Sequence, residues 1–192
     1  MSRVWFTSAI VLSLACPALA ETTPAPELKA KAAELVQAYA GKLKTALNSA
    51  IEAGGAEGAL EVCNKQAPVI AAEISRDSGW SVARTSLKPR NAASAPDDYE
   101  RMIMEGFEAR IAKGEKAADL ANAEIVEQNG RVFRFIKAIP TGQVCLTCHG
   151  ENVAPDLKRK IAALYPRDQA TGFKEGEMRG VFTLKKTLAG AQ

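Results

Sequence analysis

The chain has 192 residues, 47% hydrophobic and 24% charged, and its 25 lysines and arginines against 22 aspartates and glutamates give a net charge of +3. That length and balance suit one domain with a sizeable core. No run of like charge is long enough for a nucleic-acid surface, so charge names no partner.

The first twenty residues, "MSRVWFTSAIVLSLACPALA", carry Arg3, then an apolar run from Val4 to Ala15, and end in Ala18-Leu19-Ala20. The run is too short to cross a bilayer and closes on the small-x-small pattern of a secretory leader, so cleavage after Ala20 is expected. Cys16 has Ser13 where a lipobox wants leucine, which ranks a lipid anchor below simple cleavage. The expected product is a periplasmic chain, residues 21–192, forming a single domain without a transmembrane segment.

From Glu27 to about Ala53, Leu28, Leu35, Val36, Tyr39, Leu43, Leu47 and Ile51 recur at threes and fours, between Pro26 and Gly54-Gly55. This spacing predicts a long amphipathic helix. A short helix around Ala56 to Asn64 carries Cys63, Pro68 restarts a helix to about Arg76, and another runs from about Pro96 to Lys113. Three segments alternate apolar and polar residues with β-branched and aromatic enrichment: Trp80 to Leu87, Arg131 to Ile139 and Met178 to Leu188. They read as strands. Asn129-Gly130 predicts a hairpin joining "AEIVEQ" to the second of them, and a helix is expected from Pro155 to about Tyr165. The fold class is mixed α+β.

Loss of the leader leaves three cysteines, Cys63, Cys145 and Cys148, an odd number for a secreted protein. Two of them sit in Cys145-Leu146-Thr147-Cys148-His149, which contains the chain's one histidine. This is the C-x-x-C-H pattern of c-type haem attachment: two thiols reach the two vinyl groups while the next residue carries an imidazole to the iron. A Cys3His zinc site would need Cys63 to complete it, and export argues against that. A thioredoxin-like pair should follow an early strand, whereas this one lies late in the chain after "AIPTG". The cofactor expected is therefore one covalent haem c on Cys145 and Cys148, with His149 as proximal ligand. A class I cytochrome c carries its motif near the N-terminus, and a four-helix cytochrome c′ has no room for the strands.

In addition, "EVCNKQAP" (Glu61 to Pro68), "GWSVARTSLKPRN" (Gly79 to Asn91), "PDDYER" and "CLTCHG" before a terminal strand run through most of the mature chain. With them the chain resembles a family of small exported monohaem proteins with a PAS-like fold, long catalogued as a domain of unknown function. The alanines after Asn91 depart from the proline expected there. The resemblance implies a PAS-like antiparallel sheet flanked by helices, and haem iron held between His149 and the thiolate of Cys63.

Read from the residues alone, the sixth ligand stays open among Cys63, Met102, Met104, Met178, a lysine and water. Met178 is the best understudy for Cys63. Thiolate opposite histidine favours ferric iron and a low potential, whereas methionine raises it. The segment Arg84, Lys88, Arg90 and Asn91 supplies candidates for the haem propionates, Arg84 and Arg90 foremost. Strand alternation is taken to put Arg84 with Ser86, opposite the valine face. Trp80, Phe133 and Phe135 are expected in the core or against haem.

No acid–base pair or phosphate loop is present, and no enzyme activity is expected. The expected function is a periplasmic c-type haem protein, either a redox or gas sensor or a low-potential electron-transfer module. Its partners would be a redox or signalling protein and, for a sensor, a small gas. The alternative is a cytochrome c′-like gas-binding protein or haem enzyme with an open or methionine-ligated iron.

Overall fold

The structure, a computed structural model, describes residues 26–189. The expected leader at residues 1–20, with Cys16, lies outside the described residues. Among the described residues no helix is long and apolar enough to cross a membrane.

Helix α1 (Pro26–Glu61) buries Ala32, Leu35, Val36 and Tyr39, the i, i+3, i+4, i+7 stripe of a helix lying on a core. It bends at Gly54-Gly55, where Gly55 has φ +63°, a left-handed conformation that glycine adopts without a side-chain clash. The five residues that follow, Val62–Gln66, form a π-helix closed by Ala67 N–H donating to Val62 O. Helix α2 (Ala67–Ser78) then lies beside α1. The expected short helix and restart at Pro68 are thus joined through a widened turn.

Strand β1 (Ser81–Thr85) is shorter than expected because Ser86 turns the chain: its hydroxyl donates to Arg179 O at 2.8 Å and accepts from Lys88 N–H at 3.2 Å. Helix α3 (Asp98–Ile111) begins with a capping box in which Asp97 accepts from Glu100 N–H and Glu100 accepts from Asp97 N–H. Strands β2 (Ala121–Glu127) and β3 (Arg131–Pro140) form the expected hairpin, with positive φ at Asn129 and Gly130. Helix α4 (Gln143–His149), helix α5 (Pro155–Leu164) and strand β4 (Met178–Thr187) complete the chain.

The sheet is antiparallel in the order β1-β4-β3-β2. Period-two alternation sends Phe133, Phe135, Phe182, Leu184 and Val82 to the face covered by α1 and α2, where Trp80 packs edge-on to Phe133. Ile136, Ala138 and Val181 face Met104 and Phe107 of α3. The fold is therefore the expected α+β type, an antiparallel sheet flanked by helices with a long N-terminal helix.

Arg134 is fully buried on the α3 face. It donates to Asp97 at 2.8 Å and Glu100 at 3.0 Å and lies over the Tyr99 ring at 4.3 Å. Thr183 donates to the same Glu100 oxygen at 2.8 Å. This network ties the start of α3 to the middle of the sheet. A third cluster, Leu60, Leu157, Ile161 and Tyr165, joins the end of α1 to α5 and receives Cys148.

Candidate functional site

The CxxCH stretch is itself helical. Cys145, Cys148 and His149 stand on the short α4, a helix not foreseen from the sequence, and all three are half-buried. Gly150 ends it at close quarters: a Cβ there would lie 2.6 Å from Leu146 O, the carbonyl that Gly150 N–H bonds at 2.9 Å.

Beyond Gly150 the chain is zipped to the segment that follows α5. Phe173 N–H donates to His149 O at 2.9 Å and Gly172 N–H to Gly150 O at 3.0 Å. His149 Nδ1 lies 2.8 Å from Ala170 O. A carbonyl only accepts, so Nδ1 carries the proton and Nε2 is left as a bare lone pair, the form in which imidazole ligates a metal. Burial, then Arg179 and Arg90, push the His149 pKa down to about 2, so the imidazole stays neutral.

Arg90 holds this segment in place. Its Nε bonds Asp168 at 3.2 Å, and its Nη2 donates to Cys148 O at 2.7 Å and Ala170 O at 3.0 Å. Expected at a propionate, Arg90 instead grips the backbone of the motif. Lys88 lies over the Phe173 ring, and Asn91 caps a 3-10 turn by accepting from Ala93 N–H.

Arg84 needs one correction. It stands two residues from Val82, and side chains repeat every two residues along a strand, so it shares the valine face and lies over the Tyr39 ring at 5.5 Å. Tyr39 OH donates to Ala67 O at 3.1 Å, which brings Arg84 toward the end of the π-helix. Its Nε is buried without a partner, and so is the Nε of Arg179, a residue that sequence reasoning passed over. Arg179 lies over Phe173, whose ring meets His149 edge-on at 6.3 Å. Burial, reinforced by Arg90 and Arg84, lowers the Arg179 pKa to about 10, and Asp168 is the carboxylate that opposes this.

Cys63 occupies the π-helix, an uncommon turn that recurs at functional sites. The thiol pKa of Cys148 is pushed up by burial, drawn back by Arg90, and pushed further by Cys63 and Cys145, so the three sulfurs share one region. Tyr165 joins them: burial raises its pKa, Asn64 draws it back, and Cys63 adds to the rise. The methionines lie elsewhere. Met102 is 57% exposed, and Met104 and Met178 are buried in the cluster on the α3 face. Among the described residues no three His, Cys, Asp or Glu side chains converge enough to hold a bare metal ion, so the Cys3His set does not close on itself.

The family profile called Tll0287-like matches residues 21–186. The chain belongs to the Tll0287-like family. A solved structure described as the cyanobacterial haem protein Tll0287 has the same fold, with a TM-score of 0.64 at 22% identity over 87% of this chain and 99% of that one. No curated protein matches the sequence. In this member of the Tll0287-like family, α4, the π-helix and the arginines of β1 and β4 converge on one region, together with the segment from Asp168 to Phe173.

Proposed function

We propose that this chain is an exported, non-enzymatic c-type haem protein, with one haem attached through Cys145 and Cys148 and its iron held between His149 and the thiolate of Cys63. One observation carries the reading: the His149 Nδ1–H is committed to Ala170 O, leaving Nε2 to a metal, on the same helix as two half-buried thiols. Membership of a family that includes a haem protein supports the same cofactor.

The surrounding side chains fit that group. The orphaned Nε atoms of Arg84 and Arg179 suit the two haem carboxylates, since a buried charged donor without a partner is costly. With Arg90 they set three guanidiniums near His149, and of these Arg90 is ion-paired with the Asp168 carboxylate. A haem bound there would supply one-electron redox chemistry, and ligation by the Cys63 thiolate together with His149 would favour the ferric state. A low-potential electron carrier or a redox or gas sensor follows, working in the periplasm with a separate redox or signalling protein as partner.

Periplasmic expression with a haem-maturation system tests the attachment. Wild type should carry one haem that survives acid–acetone extraction, and Cys145→Ala/Cys148→Ala should carry none. Haem that extracts freely from wild type would overturn the proposal.

A further inference from the structure

The carbonyl of Ala170 receives two donors, His149 Nδ1–H at 2.8 Å and Arg90 Nη2–H at 3.0 Å. This arrangement is built with some care. Arg90 is 8% exposed and Asp168 12%, and the Asp168 carboxylate accepts both from Arg90 Nε at 3.2 Å and from Ala170 N–H at 2.8 Å. Gln169 N–H donates to Pro89 O at 3.0 Å, fastening the two segments side by side. The guanidinium therefore has little freedom to leave the carbonyl.

We propose that Arg90 sets the donor strength of His149 by sharing the Ala170 carbonyl with the imidazole Nδ1–H. The inference rests on the reading that His149 Nε2 is the iron ligand. A carbonyl has two lone pairs, and a cationic donor on one withdraws electron density from the other. The His149 hydrogen bond is weakened accordingly, and the imidazole takes on less imidazolate character. The partner of the second ring nitrogen governs ligand basicity, so Arg90 holds His149 as a weaker donor than a lone carbonyl would. It acts as a positioning and tuning residue, offsetting part of the ferric preference that the Cys63 thiolate imposes.

His149 is the only histidine in the chain, so 15N-histidine labelling of the holoprotein yields one imidazole to follow. The experiment compares wild type with Arg90→Gln, Arg90→Lys and Asp168→Asn, reading the Nδ1–H proton shift in the ferrous state and the reduction potential. Arg90→Gln removes the cation from the shared carbonyl. Arg90→Lys keeps the charge, but a compact ammonium on a flexible stem does not reproduce three contacts made by a rigid fork.

In both Arg90 variants the ring proton should move downfield and the potential should fall. The ferric-to-ferrous ratio at fixed potential should rise roughly three- to tenfold, the upper end being ~59 mV for a one-electron couple. Asp168→Asn keeps an acceptor for Arg90 Nε and Ala170 N–H and leaves the guanidinium charge less neutralised, so the ring proton should move upfield. An Arg90→Lys protein with wild-type ring proton and potential would reduce Arg90 to a point charge and overturn the proposal. An unmoved ring proton in Asp168→Asn would also overturn it, and that isosteric change, which keeps both hydrogen bonds to the side-chain oxygen, is the variant read if the Arg90 variants do not fold. A protonated Nε2 in wild type would instead remove His149 from the iron, a failure of the site reading recognisable before any variant is made.

Discussion

Gly150→Ala is the smallest change that should disturb the site. Gly150 has φ −73°, which any residue adopts, so the problem is contact alone. The added methyl would lie 2.6 Å from Leu146 O and 3.3 Å from Leu146 C and Cα, all backbone atoms that cannot swing aside. Relief requires a shift approaching ~1 Å, since ordinary carbon contacts begin near 3.5 Å. The movement stretches the Gly150 N–H bond to Leu146 O and strains the backbone between His149 and Phe173, for a cost of ~2–4 kcal/mol. Urea denaturation of the holoprotein should show a midpoint lower by roughly 1–2 M with an unchanged slope. Haem content per chain should fall with it, because His149 and Cys148 precede the displaced residue. A variant with wild-type midpoint and full haem content would refute the steric argument.

The remaining predictions follow from the same contacts. Arg134→Met leaves the nearly buried Glu100 without its guanidinium, with neutral donors from Thr183 and Asp97 N–H and, at 3.7 Å, Lys185, so stability should fall by ~3–5 kcal/mol in chemical denaturation. Adding Glu100→Gln should recover part of that loss, and the haem spectrum should not change in either variant. Burial alone would raise the Asp97 pKa, but Glu100 N–H, Lys185 and Arg134 outweigh it and hold the carboxyl below its ordinary value of 3.8. A depressed folded-state pKa stabilises above the unfolded value and loses that contribution as pH falls through the folded one. The stability gap between wild type and Asp97→Asn should therefore be constant above about pH 5 and shrink in more acidic urea titrations. Arg84→Leu and Arg179→Leu should each lower the reduction potential in potentiometric titration, because removing a nearby cation favours the ferric state. A rise in either variant would contradict their placement beside the haem.

Features that depend on near neighbours in sequence were legible. The stripe of α1 and the Asn129-Gly130 hairpin are written in spacings of two to seven residues, and the structure has them in place. The thiols and imidazole of the proposed haem site stand out in the sequence too, since C-x-x-C-H packs a rare set of residue types into five positions. Long-range pairing was not. Arg179 reaches the site because Gly180 and Val181 bring β4 alongside the end of β1, and nothing in "EMRGVF" announces that register. Arg90 read as a propionate contact, and its backbone role was hidden because its partners, Asp168 and Ala170, lie 78 and 80 residues away. The π-helix was hidden for another reason: α- and π-turns draw on the same residues, and the choice is made by what α1, α2 and α5 pack against.

The central claim is the pairing of His149 with Cys63 across one haem iron. Low-temperature EPR of the ferric holoprotein and its Cys63→Ser variant tests it most directly, because thiolate opposite histidine gives a low-spin spectrum with a narrow spread of g-values. The account predicts that signature in wild type and its loss in the variant. The same spectrum from both proteins would make Cys63 a packing residue and contradict the account.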